Sequence, residues 1–335
     1  MDATKFTRWL ATFAALLAVV VVALGAWTRL SDAGLGCPDW PGCYGHLSVP
    51  KEAHELMRAA ELFPAQQVQP HKAWPEMIHR YFAATLGLII LITAVLAWRA
   101  RQQRHPVKLP LVLAALVCVQ GAFGAWTVTL KLMPVVVTTH LLLGFTTLSL
   151  LSVLALQLHG KLSPLPVSAP IRRNVLLALI VVAMQIALGG WTSANYAALV
   201  CVELPICQGD WWSQADYAAG FALHLADRNY EFGILEPGAR LAIHSAHRIG
   251  AWLVLLVVGA LVWRLWRRGR TSQRYGSLMG SLLLVQIALG VANVVLSLPL
   301  AIAVAHNGVG ALLLISVLLA TVASSPNVLR EGEIA

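Results

Sequence analysis

The sequence of 335 residues has few charged side chains. Asp, Glu, Lys and Arg together make up only 12% of it, whereas a soluble domain has about a quarter. Hydrophobic residues account for 58%. This balance excludes an ordinary soluble protein and predicts an all-α integral membrane protein.

Eight apolar runs are long enough to cross a bilayer as helices, which need about 20 residues each. They cover residues 8–28, 77–98, 109–130, 135–157, 174–194, 241–263, 277–298 and 302–323. Lys5 and Arg8 precede the first run as they would in a signal peptide. That run is too long and lacks a small-residue cleavage site, so we expect a retained span. An even number of spans places both termini on one side of the membrane.

Acidic residues are scarce in the short links between runs. The segment before the first run and the links 99–108, 159–173 and 264–276 are basic, which predicts that they and both termini are cytoplasmic. The long links 31–75 and 195–240 carry most of the acids and are expected to face outward from the cell inner membrane. Topology and anionic membrane lipid therefore explain the net charge of +9, and no nucleic-acid partner is expected.

Cysteine is also scarce, with five residues. Four of them form two pairs in the outward links, each with five residues between its members. An oxidising compartment and this spacing permit the disulfides Cys37–Cys43 and Cys201–Cys207, which we expect to be structural. Cys118 lies inside a run and is expected to act as a small hydrophobic residue. The outer-link histidines His46, His54, His71 and His224 are expected at the surface.

The chain contains an internal repeat, in which residues 8–158 align with residues 174–324. LGAWTR (24–29) matches LGGWTS (188–193), IHR (78–80) matches AHR (246–248), and VQGAFGAWTV (119–128) matches VQIALGVANV (285–294). Each half has four runs, an even number, so the copies are parallel and related by an axis along the membrane normal. The sequence thus predicts two parallel-repeat four-helix bundles, over 8–158 and 174–324.

Each half has one histidine near the outer end of its second run and one near the outer end of its fourth. These are His79 and His140 in the first half, and His247 and His306 in the second. A lone membrane histidine is more often a hydrogen-bonded helix contact, but four in duplicated positions favour metal ligation. A structural zinc site needs about four ligands, and no thiolate lies at this depth. Haem iron needs only two axial ligands, so each pair predicts a haem site.

Two residue types accompany these histidines. Gly144, Gly250 and Gly310 follow three of them at three or four residues, and each would leave a flat face beside its ligand or, alternatively, serve helix packing. Arg80 and Arg248 directly follow the second-run histidines. They are candidates for pairing with haem propionates, with snorkelling to the membrane surface as the alternative.

The halves differ three residues before the first histidine of each pair. The first half has Glu76 there and the second has His244, on the same helix face as the ligand. A carboxylate in this place can take up protons or stabilise a developing positive charge, which makes Glu76 a candidate catalytic residue. The alternative is an ordinary first-turn acid favoured by the helix dipole.

The segments GAWTRL, GLGCPDWPGC, EMIHR, TTHLLLG, HSAHR and AHNGVG together resemble the haem A synthase family of the CtaA type, over about residues 10 to 323. The resemblance implies that His79 and His140 receive haem O as substrate. It also implies that His247 and His306 ligate a haem b cofactor and that Glu76 is the catalytic acid. The implied reaction oxidises the C8 methyl group of haem O to a formyl group, giving haem A for terminal oxidases.

The resemblance also implies partners, namely haem O synthase as the donor of haem O and an electron acceptor that it does not identify. In the family, the first cysteine pair is linked to redox handling, so a functional role of Cys37 and Cys43 stays open. The paired histidines are also compatible with a di-haem b-type cytochrome carrying electrons between quinol and a periplasmic partner, or with a haem transporter or chaperone. A homo-oligomer is compatible with the sequence.

Overall fold

The computed structural model describes residues 3–103 and 106–326, and within these ranges it forms helices and no β-strand. The helices are α1 (Ala3–Leu30), α2 (Ala53–Leu62), α3 (Pro70–Arg99), α4 (Lys108–Thr129), α5 (Pro134–Leu158), α6 (Ala169–Ala194), α7 (Trp211–Gln214), α8 (Tyr217–Gly220), α9 (Pro237–Trp266), α10 (Arg270–Val295) and α11 (Leu300–Ala323). Eight of them are long and apolar enough to cross a membrane, which confirms the predicted all-α membrane protein with eight spans.

The spanning helices carry large apolar side chains on their outer surfaces. Trp9, Leu88, Leu256 and Leu284 are all more than half exposed, as suits side chains that face lipid. A helix satisfies its backbone hydrogen bonds internally, which is the requirement for crossing hydrocarbon. The predicted spans therefore agree with the observed helices, except that several helices extend beyond the apolar run into the interface.

Helix α3 shows such an extension, because it begins at Pro70 instead of residue 77. Proline suits the first turn of a helix, where its missing N–H has no intrahelical partner in any case. A second proline, Pro75, lies inside the helix. Glu76 is therefore in the second turn of α3, and the alternative reading of it as a first-turn acid is wrong.

The chain divides into two compact units. Within the described residues, the first comprises 3–103, 106–151, 193–196 and 222–236, and the second comprises 152–192, 197–221 and 237–326. Two segments of the second outer link thus pack with helices of the first half. The second unit has a core of α6, α9, α10 and α11 that includes Val258, Leu261, Met279 and Val317.

Residues 222–236 are attached to the first unit through Tyr230. This side chain is 1% exposed and packs with Leu132, Met133 and Val136 at the turn between α4 and α5. Its backbone N–H donates to the carbonyl of Lys131 at 3.0 Å. The second outer link therefore covers one end of α4 and α5 in the first unit.

Both outer links contain the predicted disulfide. Cys37 is bonded to Cys43, with their Cα atoms 4.8 Å apart. Cys201 is bonded to Cys207, with a Cα separation of 4.9 Å. Each disulfide closes a short loop that follows the first helix of its half, α1 or α6, and these loops lie against α3 and α9.

Candidate functional site

Each of the four predicted ligand histidines packs against a glycine on a neighbouring helix. The pairs are His79 with Gly25, His140 with Gly124, His247 with Gly189, and His306 with Gly290. A Cβ atom added to Gly25 would lie 2.9 Å from Cε1 of its histidine, and one added to any of the other three glycines would lie 3.2 Å from Cε1. The rings therefore occupy space that a side chain on the facing helix would fill.

Three of these glycines are preceded, four residues earlier, by a glutamine that also contacts the histidine residue. Gln120 Nε2 donates to the carbonyl of His140 at 3.0 Å. Gln185 Nε2 donates to the carbonyl of His247 at 2.8 Å and lies 3.1 Å from its Nδ1. In α10, Gln286 Nε2 lies 3.3 Å from Nε2 of His306. A glutamine on the facing helix thus contacts three of the four histidines, at the backbone carbonyl of His140 and His247 and at the ring of His306.

The glycines that follow the histidines in sequence make room for the side chains of these glutamines. A Cβ atom at Gly144 would lie 3.3 Å from Gln120 Nε2, one at Gly310 would lie 3.3 Å from Gln286 Nε2, and one at Gly250 would lie 2.1 Å from Gln185 Oε1. We predicted that Gly144, Gly250 and Gly310 leave a flat face beside each ligand. The alternative was helix packing, and the structure favours that alternative, because the missing side chains make room for an amide from the facing helix.

Sequence reasoning missed the glutamines and the glycines that face the rings. Their signal is the segment QIALG, which occurs at 185–189 and again at 286–290, with QGAFG at 120–124 and VVALG at 21–25. These segments fall within or next to the repeated stretches already recognised. Only the contacts between helices show that the last residue of each segment faces a histidine.

The structure brings the predicted histidines of each unit together. His79 and His140 both lie in the first unit, and His247 and His306 both lie in the second. The Nδ1 atoms of His79, His140 and His306 are buried and have no hydrogen-bond partner. An unpartnered buried ring nitrogen costs about 1–3 kcal/mol, a cost that a bound ligand would remove, although ring nitrogens of His46, His224 and His244 share this feature.

The residues present fit an iron porphyrin better than a bare metal ion. Among the described residues, no cluster of three or more His, Cys, Asp and Glu side chains could hold a metal ion. A structural zinc site needs about four such ligands, whereas haem needs two. Each unit has two imidazoles that pack against glycines, and three of the four have an unpartnered ring nitrogen. This arrangement matches the two ligands that haem needs.

Glu76 lies one helical turn before His79 and is 4% exposed. Its Oε2 accepts a hydrogen bond from the backbone N–H of Cys37 at 2.9 Å, and its Oε1 forms an ion pair with Arg80. The Cys37 N–H can reach Glu76 because Gly36 lies directly on the α3 backbone. A Cβ atom at Gly36 would be 2.4 Å from the carbonyl carbon of Lys72. The first disulfide loop therefore holds the carboxylate in place.

Arg80 also joins its helix to the disulfide loop. Its Nη1 donates to the carbonyls of Asp39 at 3.0 Å, Pro41 at 3.3 Å and Gly42. Arg80 therefore anchors the disulfide loop to α3, a role that the sequence did not predict. The pairing of Arg80 and Arg248 with propionates stays a prediction.

Arg248 makes the equivalent contacts in the second unit. It donates to the carbonyls of Cys201, Glu203 and Ile206, and its Nε lies 3.2 Å from Nε2 of His244. His244 therefore occupies the place of Glu76 and contacts the same arginine position. The two units share this arrangement and differ in the chemistry of that one side chain.

Tyr44, beside the first loop, is 1% exposed and donates its hydroxyl to the carbonyl of Gln67 at 2.9 Å. Burial raises the pKa of the Tyr44 phenol, and the nearby carboxylates of Glu76 and Asp39 raise it further. Tyr44 is therefore a neutral donor at physiological pH. It packs edge-to-face on Phe63, which anchors the loop beside Glu76.

The outer-link histidines divide into two groups. His54 and His71 are exposed, as predicted. His46 and His224 are only partly exposed, and the Nε2 atom of each is buried. These two therefore lie at the surface only in part.

The chain is similar to proteins of one family along nearly its whole length. A family model described as cytochrome oxidase assembly protein, COX15-CtaA, matches residues 8–318. A heme A synthase from Shewanella oneidensis is 47% identical over 313 residues, covering 92% of this chain and 93% of the relative. A heme A synthase from Methylobacterium radiotolerans is 30% identical over 322 residues, covering 89% and 84%. Another, from Maricaulis maris, is 28% identical over 334 residues, covering 92% of each.

Proposed function

This chain belongs to the COX15-CtaA family of cytochrome oxidase assembly proteins. We propose that its two histidine pairs take part in a single reaction in which haem is the substrate. The chain is a haem A synthase, a membrane oxidoreductase that converts haem O to haem A. The finer proposal concerns which pair holds the substrate and which residue acts on it.

We assign the substrate site to His79 and His140. The observation that carries this assignment is Glu76, a buried carboxylate one turn from His79. The equivalent position in the second unit is His244, so that unit has no carboxylate in the same place. His247 and His306 would then hold haem b, which supplies one-electron transfer when it is bound.

Conversion of the C8 methyl group to a formyl group removes two hydrogen atoms from the carbon and adds one oxygen. We propose two hydroxylations by water, each releasing two protons and passing two electrons to the electron acceptor that the reaction requires, and the resulting gem-diol then loses water. Protons must leave the reacting carbon, and Glu76 is placed to accept one or to orient a water molecule. Its oxygens each accept one contact, from Cys37 and from Arg80, and keep further lone pairs for a proton.

We propose a positioning role for the first disulfide loop. The Cys37–Cys43 bond fixes the backbone N–H that binds Glu76, and Arg80 ties the loop carbonyls to α3. Loss of the disulfide would therefore disturb the carboxylate even if the sulfur atoms take no part in electron transfer. A redox role for this pair stays a prediction.

The proposed setting is the cell inner membrane, with both termini cytoplasmic. The basic short links support this orientation, because positively charged links are retained on the cytoplasmic side. The histidine pairs would then lie toward the outer side. Haem O synthase is the proposed donor of substrate, and an electron acceptor is also required.

The test is to express the full-length protein with haem O available and to separate the extracted haems by chromatography. Glu76→Gln keeps an acceptor for the Cys37 N–H but removes the negative charge. We expect this variant to retain bound haem and to lose haem A formation by about 100-fold or more, the usual effect of removing an acid or base. Glu61→Gln is the matched control, because Glu61 is exposed in the outer link.

Normal haem A formation by Glu76→Gln would contradict the catalytic assignment. If the wild-type protein binds two haems and oxidises neither, the di-haem cytochrome becomes the better description. Accumulation of a hydroxymethyl intermediate in either protein would count against a transporter or chaperone, because passage alone leaves the side chains of haem unchanged.

A further inference from the structure

Three of the four ligand histidines are contacted by a glutamine, and the fourth is not. On α1, the position equivalent to Gln185 is occupied by Val21, four residues before Gly25. On α3, the position equivalent to Gly250 is occupied by Phe82. Both parts of the glutamine contact, the amide and the glycine that makes room for it, are therefore missing at His79.

The glutamine contact restrains a histidine because it joins two helices at the ligand itself. The amides of Gln120 and Gln185 donate to the backbone carbonyl of the histidine on the facing helix, and Gln286 contacts the ring of His306. A buried hydrogen bond of this kind contributes about 0.5–1.5 kcal/mol. Inside a membrane no water is present to replace it. The backbone of Val21 interacts with His79, as the backbones of Gln120 and Gln286 do with their histidines, but Val21 adds no side-chain amide.

The distribution of these contacts matches the different needs of the two sites. A resident cofactor has to stay bound, and both of its proposed ligands are contacted by a glutamine. A substrate has to enter and its product has to leave, which requires that one axial ligand release the iron. His79, the histidine without a glutamine, belongs to the proposed substrate pair.

We propose that Gln185, Gln286 and Gln120 are positioning residues that fix His247, His306 and His140. His79, which faces Val21, is then the mobile ligand that releases the iron when haem O enters and haem A leaves. This inference rests on the proposed function for the identity of the two sites.

Carbon monoxide binding to the reduced full-length protein tests the proposal. Carbon monoxide binds ferrous haem only when an axial position opens, so its binding rate reports ligand release without requiring turnover. In the wild-type protein we expect binding at the haem O or haem A site and very slow binding at haem b. The two haems are distinguished by absorption, because the formyl group shifts the bands of haem A away from those of haem b.

The glutamine variants should make the cofactor ligands labile. Gln185→Met and Gln286→Met preserve the size of the side chain and remove the amide, and we expect carbon monoxide binding to haem b to rise by about 10- to 100-fold. Gln157→Met is the matched control, since Gln157 is an exposed residue of α5. Unchanged carbon monoxide binding in both test variants would overturn the proposal.

A second variant adds the glutamine contact at His79. Its expected effect is a slower binding of carbon monoxide, which a general loss of structure would not produce. The double change Val21→Gln with Phe82→Gly installs the missing amide and its space, and we expect carbon monoxide binding at the substrate site to fall by about tenfold. An unchanged rate with normal haem content would overturn the assignment of His79. Persistence of haem b in His247→Ala would contradict the proposed assignment of the cofactor to the second unit, and this result is separate from any glutamine effect.

Discussion

At the scale of single residues, the most informative positions carry no side chain. Gly25, Gly124, Gly189 and Gly290 each leave room for an imidazole from the facing helix. A histidine would supply the proposed metal-binding nitrogen, but the residue opposite decides whether its ring can enter the bundle. The sequence identified the histidines by their duplication and gave no indication of what they face.

Gly290→Ala should weaken haem binding in the second unit. The added Cβ would lie 3.2 Å from Cε1 of His306, so the ring has to shift from its position. We expect haem b affinity to fall by about 10- to 100-fold, as it does when the surroundings of a metal ligand are disturbed. The measurement is the haem b content and low-spin absorption of the purified protein.

Gly259→Ala provides the control for this change, because nothing lies within 4 Å of its added Cβ. Alanine in the middle of a helix is favoured over glycine by about 0.5–1 kcal/mol, so this variant should be at least as stable as wild type. Equal haem loss in both variants would show that the contact with His306 is not the cause.

At the scale of elements, each half consists of spanning helices and a disulfide loop held by an arginine. Arg80 and Arg248 bind carbonyls of the loops at equivalent positions, which include Asp39 and Glu203. The same interaction in both units supports the proposed duplication of the fold. The arginine directly follows a proposed ligand histidine, so one helix end carries both the proposed ligand and the loop anchor.

Arg248→Met should release the second loop from α9. Hydrogen bonds from a charged donor contribute about 1.5–3 kcal/mol each, and Arg248 donates to three loop carbonyls. We therefore expect amide hydrogen exchange in residues 201–207 to become at least about tenfold faster, as measured by mass spectrometry. Arg264→Met, at an exposed position in the last turn of α9, should leave this exchange unchanged. Comparable exchange in the two variants would contradict the anchoring role.

At the scale of the whole molecule, each compact unit carries one histidine pair and one disulfide loop. The units do not follow the sequence repeat strictly, because residues 193–196 and 222–236 pack with the first unit. A segment next to the second half in sequence is thereby part of the unit that contains Glu76. The two sites can nevertheless be tested separately.

His247→Ala should remove haem b and leave haem O or haem A in the preparation, because the ligands of the first unit are intact. His79→Ala should have the opposite effect on the two haem types. Extracted haems quantified per chain give the measurement, and His54→Ala is the control, since His54 is exposed in the outer link. Loss of both haem types from each single variant would contradict two independent sites.

The sequence by itself determined the membrane class, the eight spans, both disulfides and the candidate ligands. Long apolar runs, paired cysteines and a duplicated pattern are local or repetitive signals, and they need no knowledge of which helices touch. Only the tertiary structure decided what faces each histidine, how Glu76 is held by Cys37 and Arg80, and where the second outer link packs. These features arise between residues distant in the chain, where close contact depends on helix packing and on the absence of a side chain opposite.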